Sequence, residues 1–247
     1  MKLLEALVEL SAVECTFVRR LSRFTALVRV GGREEIAHLN NTGRLEGLLI
    51  PGARALCVPT RGPRAGLRVA VVEDAEGPAV IDTSLQERAF VEAVARGKIP
   101  WLPLQPTALK RNVRLGDSTY DLAITYGGST IVVELKSAVM RVGDCAGYPD
   151  APTERGARHL LGLAGLARSG YRAAAVFVAA LPGVRAACVN GELDQGVAAA
   201  AEKALEAGVE LRGVQLVYRD GRVLLGNPSL PVVLGCSRCA SAVSRVT

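Results

Sequence analysis

Residues Asp121–Lys136 constrain the fold more tightly than any other stretch. Asp121-Leu122-Ala123-Ile124-Thr125 and Val132-Val133-Glu134-Leu135-Lys136 both read as β-strands, with Tyr126-Gly127-Gly128-Ser129 between them. A Gly-Gly pair between two apolar runs predicts a two-residue hairpin loop. Pairing Tyr126 with Ser129 and carrying the register outward places Asp121 opposite Glu134. Directly opposed Cβ atoms stand roughly 4.5–5.5 Å apart. Lys136 falls on the same face, because strand side chains alternate. Leu122, Ile124, Ile131, Val133 and Leu135 form the other, core-like face. Two carboxylates held that close repel each other unless a cation lies between them.

This grouping suits a divalent metal site. Hard cations such as Mg2+ or Mn2+ take one or two carboxylates, completed by water and substrate phosphates. A metal there lowers the pKa of a bound water and clamps a phosphodiester, and a neighbouring ammonium orients that water or offsets developing charge. The alternative is a cluster of charges on a solvated sheet face. The choice of lysine favours the metal site. Of thirty Lys and Arg residues only Lys2, Lys98, Lys110, Lys136 and Lys203 are lysine, and arginine cannot replace lysine in proton chemistry.

The 247 residues, 49% hydrophobic, suffice for one large domain or two small ones with their own cores. No run approaches the roughly 18 apolar residues of a membrane span. Glu5, Glu9 and Glu14 are out of place in a signal peptide, so a cytoplasmic protein without membrane contact is expected. Four cysteines are scattered singly, and Cys236-Ser-Arg-Cys239 is one CxxC pair. Reduced thiols are expected, with a local disulfide or an intermolecular metal site as the alternative. The formal net charge of +6 supports binding to polyanions through phosphate contacts.

Up to about Thr83 the chain reads as short strands between turns: Val13–Arg20, Phe24–Val30, Glu35–Leu39, Arg54–Thr60, Leu67–Val72 and Ala79–Ile81, with a possible helical turn at Thr42–Leu49. A small OB-like barrel is the expected architecture for residues 1–83. A helix is predicted over Leu85–Arg96, capped by Thr83 or Ser84 and stopped by Gly97. After the strands near Leu109–Leu115, Asp121 and Glu134, a helix runs to Arg168, capped by Asp150 or Thr153. Tyr171–Leu181 is a continuous apolar run that predicts a fully buried strand. A helix near Gln195–Ala207 and a strand near Glu210–Tyr218 follow. Residues 84–247 therefore predict a mixed sheet with helices on its faces.

Arg19, Arg20 and Arg23 cluster at one strand end, where they could meet phosphates in a salt-dependent, sequence-blind way or stand as ordinary solvated arginines. His38 and Arg44 flank an Asn-Asn-Thr-Gly turn and divide evenly between structural and ligand roles. Arg155 and His159 lie one helical turn apart and could both aim at the acidic face. Asp150 is a helix cap or a metal-site acid. Aromatics make up only 4% of residues, too few for an extended base-stacking platform.

Several segments are similar to signature segments of the sugar fermentation stimulation protein A family: Phe17-Val-Arg-Arg-Leu-Ser-Arg-Phe24, His38-Leu-Asn-Asn-Thr-Gly-Arg44, Ile81-Asp-Thr83, Tyr148-Pro-Asp-Ala-Pro-Thr-Glu-Arg-Gly156 and Tyr171–Val178. The resemblance implies an OB-like barrel followed by a PD-(D/E)xK nuclease-type α/β domain. It also implies DNA binding and a link to regulation of sugar-utilisation genes. Asp121 then takes the metal-binding aspartate, Glu134 the second carboxylate and Lys136 the lysine, with Glu87 or Glu92 as a further acid from the preceding helix. The chain departs from the family's usual pattern at Leu21-Ser22, Asn40, Glu87, Thr119 and the stretch Ala187–Asp194. The expected function is a DNA-binding protein, with RNA as a further partner, carrying a Mg2+- or Mn2+-dependent phosphodiesterase site at Asp121, Glu134 and Lys136. The alternative is a non-catalytic DNA-binding regulator of the same fold. Nucleic-acid contacts are expected at Arg19, Arg20, Arg23, His38, Arg44 and Arg155.

Overall fold

The computed structural model describes residues 5–60, 66–103 and 105–239. A short strand, β1 (Ala6–Glu9), comes first. The barrel follows, built from β2 (Val13–Arg20), β3 (Thr25–Val30), β4 (Arg33–His38), β5 (Arg54–Pro59) and β6 (Leu67–Asp74). These pair in the order β4-β3-β2-β5-β6, and a parallel contact of Ala37 with Leu67 and His38 with Arg68 closes the ring. Alternation drives it: Cys15, Phe17, Ala26, Val28, Ala37, Ala55, Cys57 and Val69 are buried inside, as period-2 patterning requires. Gly31 and Gly32 turn β3 into β4 with both φ positive, the conformation of a tight hairpin turn. A bulge between Phe17 and Arg19 shifts the β2–β3 register, after which Arg19 pairs with Leu27 and Arg20 with Ala26.

From β6 the chain passes through β7 (Gly77–Val80) into α1 (Thr83–Ala95). The cap of α1 is Asp82, which accepts from the Ser84 N–H at 3.0 Å and the Leu85 N–H at 3.3 Å. Neither Thr83 nor Ser84 serves, because both already lie inside the first turn. Gly97, at φ 64°, follows the helix end as the sequence predicts.

The remaining elements are β8 (Ala108–Leu115), β9 (Ser118–Tyr126), β10 (Ser129–Ala138), β11 (Met140–Val142), β12 (Cys145–Tyr148), α2 (Glu154–Arg168), β13 (Arg172–Ala179), β14 (Ala186–Val189), α3 (Gln195–Glu206), β15 (Glu210–Arg219), β16 (Arg222–Leu225) and β17 (Val232–Leu234). Seven strands form a mixed sheet in the order β1-β16-β15-β13-β10-β9-β8, parallel at β10–β13 and β13–β15. Its centre, β13, is buried from Ala173 to Ala179, as the apolar run predicts. A second, smaller sheet, β11-β12-β14-β17, has no counterpart in the sequence reading, because its strands are three or four residues long. The helix-like turn expected at Thr42–Leu49 is an irregular loop with hydrogen-bonded turns. β1 pairs with β16 and so completes the seven-stranded sheet rather than the barrel, contrary to a barrel drawn from residue 1. The buried apolar residues of barrel and sheet form one continuous cluster.

All six cysteines are bridged: Cys15–Cys57, Cys145–Cys239 and Cys188–Cys236. This overturns the expectation of reduced thiols. Cys15 and Cys57 stand on the neighbouring strands β2 and β5, with Cα atoms 6.2 Å apart, within disulfide reach. Spacing along the chain does not reveal such cross-strand neighbours.

Candidate active site

The hairpin forms as its glycines dictate. Gly127 and Gly128 both have positive φ, and Tyr126 pairs with Ser129, Ile124 with Ile131 and Leu122 with Val133. There the β9–β10 ladder stops. β10 continues beside β13 to Ala138, while β9 stays with β8 back to Ser118. The two strands diverge a single pair short of the expected Asp121–Glu134 partnership, and the Asp121 carboxylate accepts the Leu135 N–H at 2.6 Å. A cavity of about 360 Å³ opens at the split, and Asp121, Glu134 and Lys136 all line it.

Glu134 is the hub. Its Oε1 receives the Lys136 ammonium at 2.9 Å and also meets His159 Nδ1 on α2. Glu134, Lys136 and His159 are each only 5% exposed. His159 Nε2 in turn accepts from Arg155 Nε at 3.4 Å, so the pattern assigns the Nδ1–H as donor to Glu134. Burial pushes the Glu134 carboxyl up, but the His159 hydrogen bond and the Lys136 charge outweigh it and leave it below the ordinary value. Burial pulls the Lys136 ammonium down, yet the Tyr148 phenolic oxygen and the Glu134 carboxylate more than offset this and leave its pKa raised. Lys136 is therefore a held positive charge beside the Tyr148 ring. It can orient a water or stabilise an anion, and it is poorly placed to take up a proton.

Asp121 behaves differently. Burial, then the nearby Glu134 charge, raises its carboxyl from 3.8 to about 6. Two carboxylates sharing one pocket raise at least one pKa, and a cation between them relieves the cost. The second Glu134 oxygen, Oε2, is buried with no hydrogen-bond partner among the described residues. An orphaned carboxylate oxygen beside an aspartate of raised pKa fits a hard divalent cation. Glu87 on α1 shares a smaller adjoining cavity with Asp121 and adds to its repulsion. Glu92 instead pairs with Arg96 at 2.6 Å.

A barrel loop makes the far wall. Asn40–Gly43 and Arg23 line the same cavity, and Asn41 reaches Ser137 on β10 at 3.2 Å. Asp150 accepts from the Leu45 N–H at 3.0 Å and lies so close to Gly43 that no Cβ fits there. It thus docks the barrel loop, and α2 is capped by Thr153, one of the two expected candidates. Arg20 spends its guanidinium on the carbonyls of Gly43, Arg44 and Arg23 at 2.6–2.9 Å, which shapes the loop. Arg23 and Arg155 line the cavity, and Arg23 is exposed. Arg44 lies just beyond the lining and pairs loosely with Glu46 at 3.7 Å. Arg19 is exposed on β2, and His38 sits in the barrel closure beside Thr25 and Arg68; neither lines the cavity. The sequence assigns no role to Tyr148, although it lies in a segment singled out above, and leaves Asn41 even between a turn former and a ligand; Asn41 caps the turn at the Gly43 N–H and reaches β10.

Comparison with known proteins covers both halves of the chain. Residues 18–81 match the SfsA N-terminal OB domain, and residues 84–222 match the sugar fermentation stimulation protein RE domain. The sugar fermentation stimulation protein homolog of Archaeoglobus fulgidus is 43% identical over 224 residues, 91% of this chain and 97% of that protein. The Pyrococcus furiosus homolog is 41% identical over 202 residues, 82% of this chain and 87% of that protein. A solved structure of Pyrococcus furiosus SfsA in complex with Ca2+ superposes with a TM-score of 0.87 at 39% identity, covering 92% of this chain and 99% of that one.

Proposed function

This chain belongs to the sugar fermentation stimulation protein family, and we propose that it binds DNA and hydrolyses phosphodiesters at the Asp121–Glu134–Lys136 pocket with a divalent cation. The observation that carries the reading is the buried Glu134 Oε2, partnerless among the described residues, in the same cavity as Asp121 and Lys136. An aspartate on one strand and Glu-x-Lys on the next, in a mixed sheet preceded by a helix, is the arrangement of a PD-(D/E)xK nuclease-type domain. Asp121 and Glu134 hold the cation. The solved relative is described with Ca2+, an oxygen-seeking ion whose ligand chemistry Mg2+ and Mn2+ share. A bound cation supplies an activated water and neutralises phosphate charge.

The chain's own groups do the rest. Lys136 stays charged and positions the attacking water or the phosphate oxygen. His159 fixes the Glu134 carboxylate while Arg155 braces His159. Arg23 and Arg155 stand on the cavity rim, where a phosphate backbone could pass between barrel and sheet. A second reading, a DNA-binding regulator without turnover, draws on one fact: Glu134 Oε1 is already satisfied by Lys136 and His159.

The test incubates the protein with single- and double-stranded DNA and RNA, with Mg2+, Mn2+ or EDTA, beside Glu134→Gln and Lys136→Met. Cleavage that needs metal and disappears in both variants supports hydrolysis. Identical traces from all three proteins end that reading, and filter binding that weakens between about 50 and 200 mM salt would then support the regulator.

A further inference from the structure

We infer that Cys145, Cys188, Cys236 and Cys239 form a second, all-sulfur site that holds one Zn2+ when its thiols are reduced. The Sγ atoms of Cys145, Cys188 and Cys239 lie within 4.8 Å of one another, and the fourth sulfur, Cys236, is bonded to Cys188. Zn–S bonds of about 2.3 Å in a tetrahedral site set neighbouring sulfurs about 3.8 Å apart. Three sulfurs are thus already gathered close to metal-ligand separations, and the fourth is joined covalently to one of them.

Stapling alone does not call for this convergence. Cys15–Cys57 shows what a plain staple looks like: one bridge between two barrel strands, with no third sulfur in its group among the described residues. The other four cysteines bring two bridges to the same turn. Cys145 and Cys188 come from the adjacent parallel strands β12 and β14. Cys236 and Cys239 come from one 3-10 turn, closed by the Cys239 N–H donating to the Cys236 carbonyl. A CxxC turn set against two further cysteines is the ligand arrangement of a closed structural zinc site. The pocket is otherwise apolar, with Ala186 buried and Val142 and Val233 packed against it. Soft thiolates without carboxylates select Zn2+ over the hard cations suited to the Asp121 pocket.

The chemistry balances as follows. A dithiol reductant delivers four electrons and four protons to the two disulfides. One Zn2+ then displaces four protons from the four thiols and binds the tetrathiolate. Because β12 runs on into Tyr148 and Asp150, the site would anchor the wall of the active-site cavity.

The test uses the whole chain, reduced with a dithiol and exchanged without oxygen into buffer with Zn2+ or Co2+. Expected are about one Zn2+ per chain and protection of four of the six cysteines from alkylation. Co2+ should give the thiolate charge-transfer and tetrahedral ligand-field bands. Excess Mg2+ should not displace either ion. Cys15→Ser/Cys57→Ser should keep the site, and Cys236→Ser/Cys239→Ser should lose at least nine-tenths of it. Folded, reduced wild type that takes up neither ion overturns the inference, as does uptake unchanged by Cys236→Ser/Cys239→Ser. Should that double variant fail to fold, the wild-type Co2+ spectrum decides: a spectrum without thiolate bands overturns the site.

Discussion

The Asp121 carboxylate accepts the Leu135 N–H at 2.6 Å, and this bond stands where the β9–β10 ladder ends at Leu122 and Val133. A side chain thus satisfies a backbone donor that the divergence of two strands left without a ladder partner. The same divergence opens the cavity and leaves Asp121 within the field of Glu134. Structure and electrostatics of the site have one origin.

The raised Asp121 carboxyl carries a stability signature. Its native value of about 6 lies above the ordinary 3.8, so the folded chain binds this proton more tightly than the unfolded chain. The associated stability is full below the ordinary value and is lost as pH rises through about 6. Asp121→Asn keeps the acceptor for Leu135 and removes the charge. In EDTA its advantage over wild type should be near zero at pH 4 and grow to about 2–3 kcal/mol by pH 7. Urea denaturation across that range is the check, and a pH-independent difference would refute the assignment.

Cation binding should reverse that penalty. At pH 7.5, Mn2+ at about one hundred times its Kd should stabilise the wild type by about 2.7 kcal/mol. It should leave Asp121→Asn nearly unmoved. At pH 5 the wild-type gain should shrink, because the ion must displace a proton from Asp121. Thermal unfolding with and without Mn2+ at both pH values measures this.

Lys136 and Glu134 should be strongly coupled. Lys136→Met leaves a buried carboxylate short of its cation, at an expected cost of about 3–5 kcal/mol. Adding Glu134→Gln removes the uncompensated charge, so the double variant should lose less than the sum of the singles. Denaturant titration of the four proteins gives the cycle, and simple additivity would show that the 2.9 Å contact contributes little.

The contact between barrel and sheet should be testable at Gly43. A methyl group there collides with the Asp150 carboxylate, so Gly43→Ala should cost about 1–3 kcal/mol. Asp150→Ala alone forfeits the Leu45 bond, worth about 1 kcal/mol. Combined with Gly43→Ala it should cost less or restore stability. Equal and independent losses, read by denaturant titration, would mean that the loop yields freely at this point.

Much of the scaffold was legible because its signals are local. Period-2 alternation marked β2 to its full span, the Gly127-Gly128 pair marked the hairpin and its register, and the apolar run at Tyr171–Leu181 marked the central strand. The placement of Glu134 and Lys136 on one face followed from the same alternation, and their 2.9 Å contact agrees with it. The cap of α1 was misplaced by a residue or two because Asp82, Thr83 and Ser84 are all good capping residues. Asp82 prevails because Arg68 at 2.5 Å and Asn40 at 3.0 Å also converge on it.

What the residues determined on their own was the barrel strands, the longer strands of the large sheet, the turns between them and the acid–acid–lysine grouping, since these depend on near neighbours along the chain. Only the tertiary structure decided where β9 and β10 diverge, which loop walls the cavity, which cysteines pair, and that β1 joins the distant sheet. Those outcomes rest on contacts between remote segments, such as Asp150 with Leu45 or Cys145 with Cys239, 105 and 94 positions apart. No periodicity or spacing encodes such meetings. They form only when burial of a shared apolar core brings the segments together.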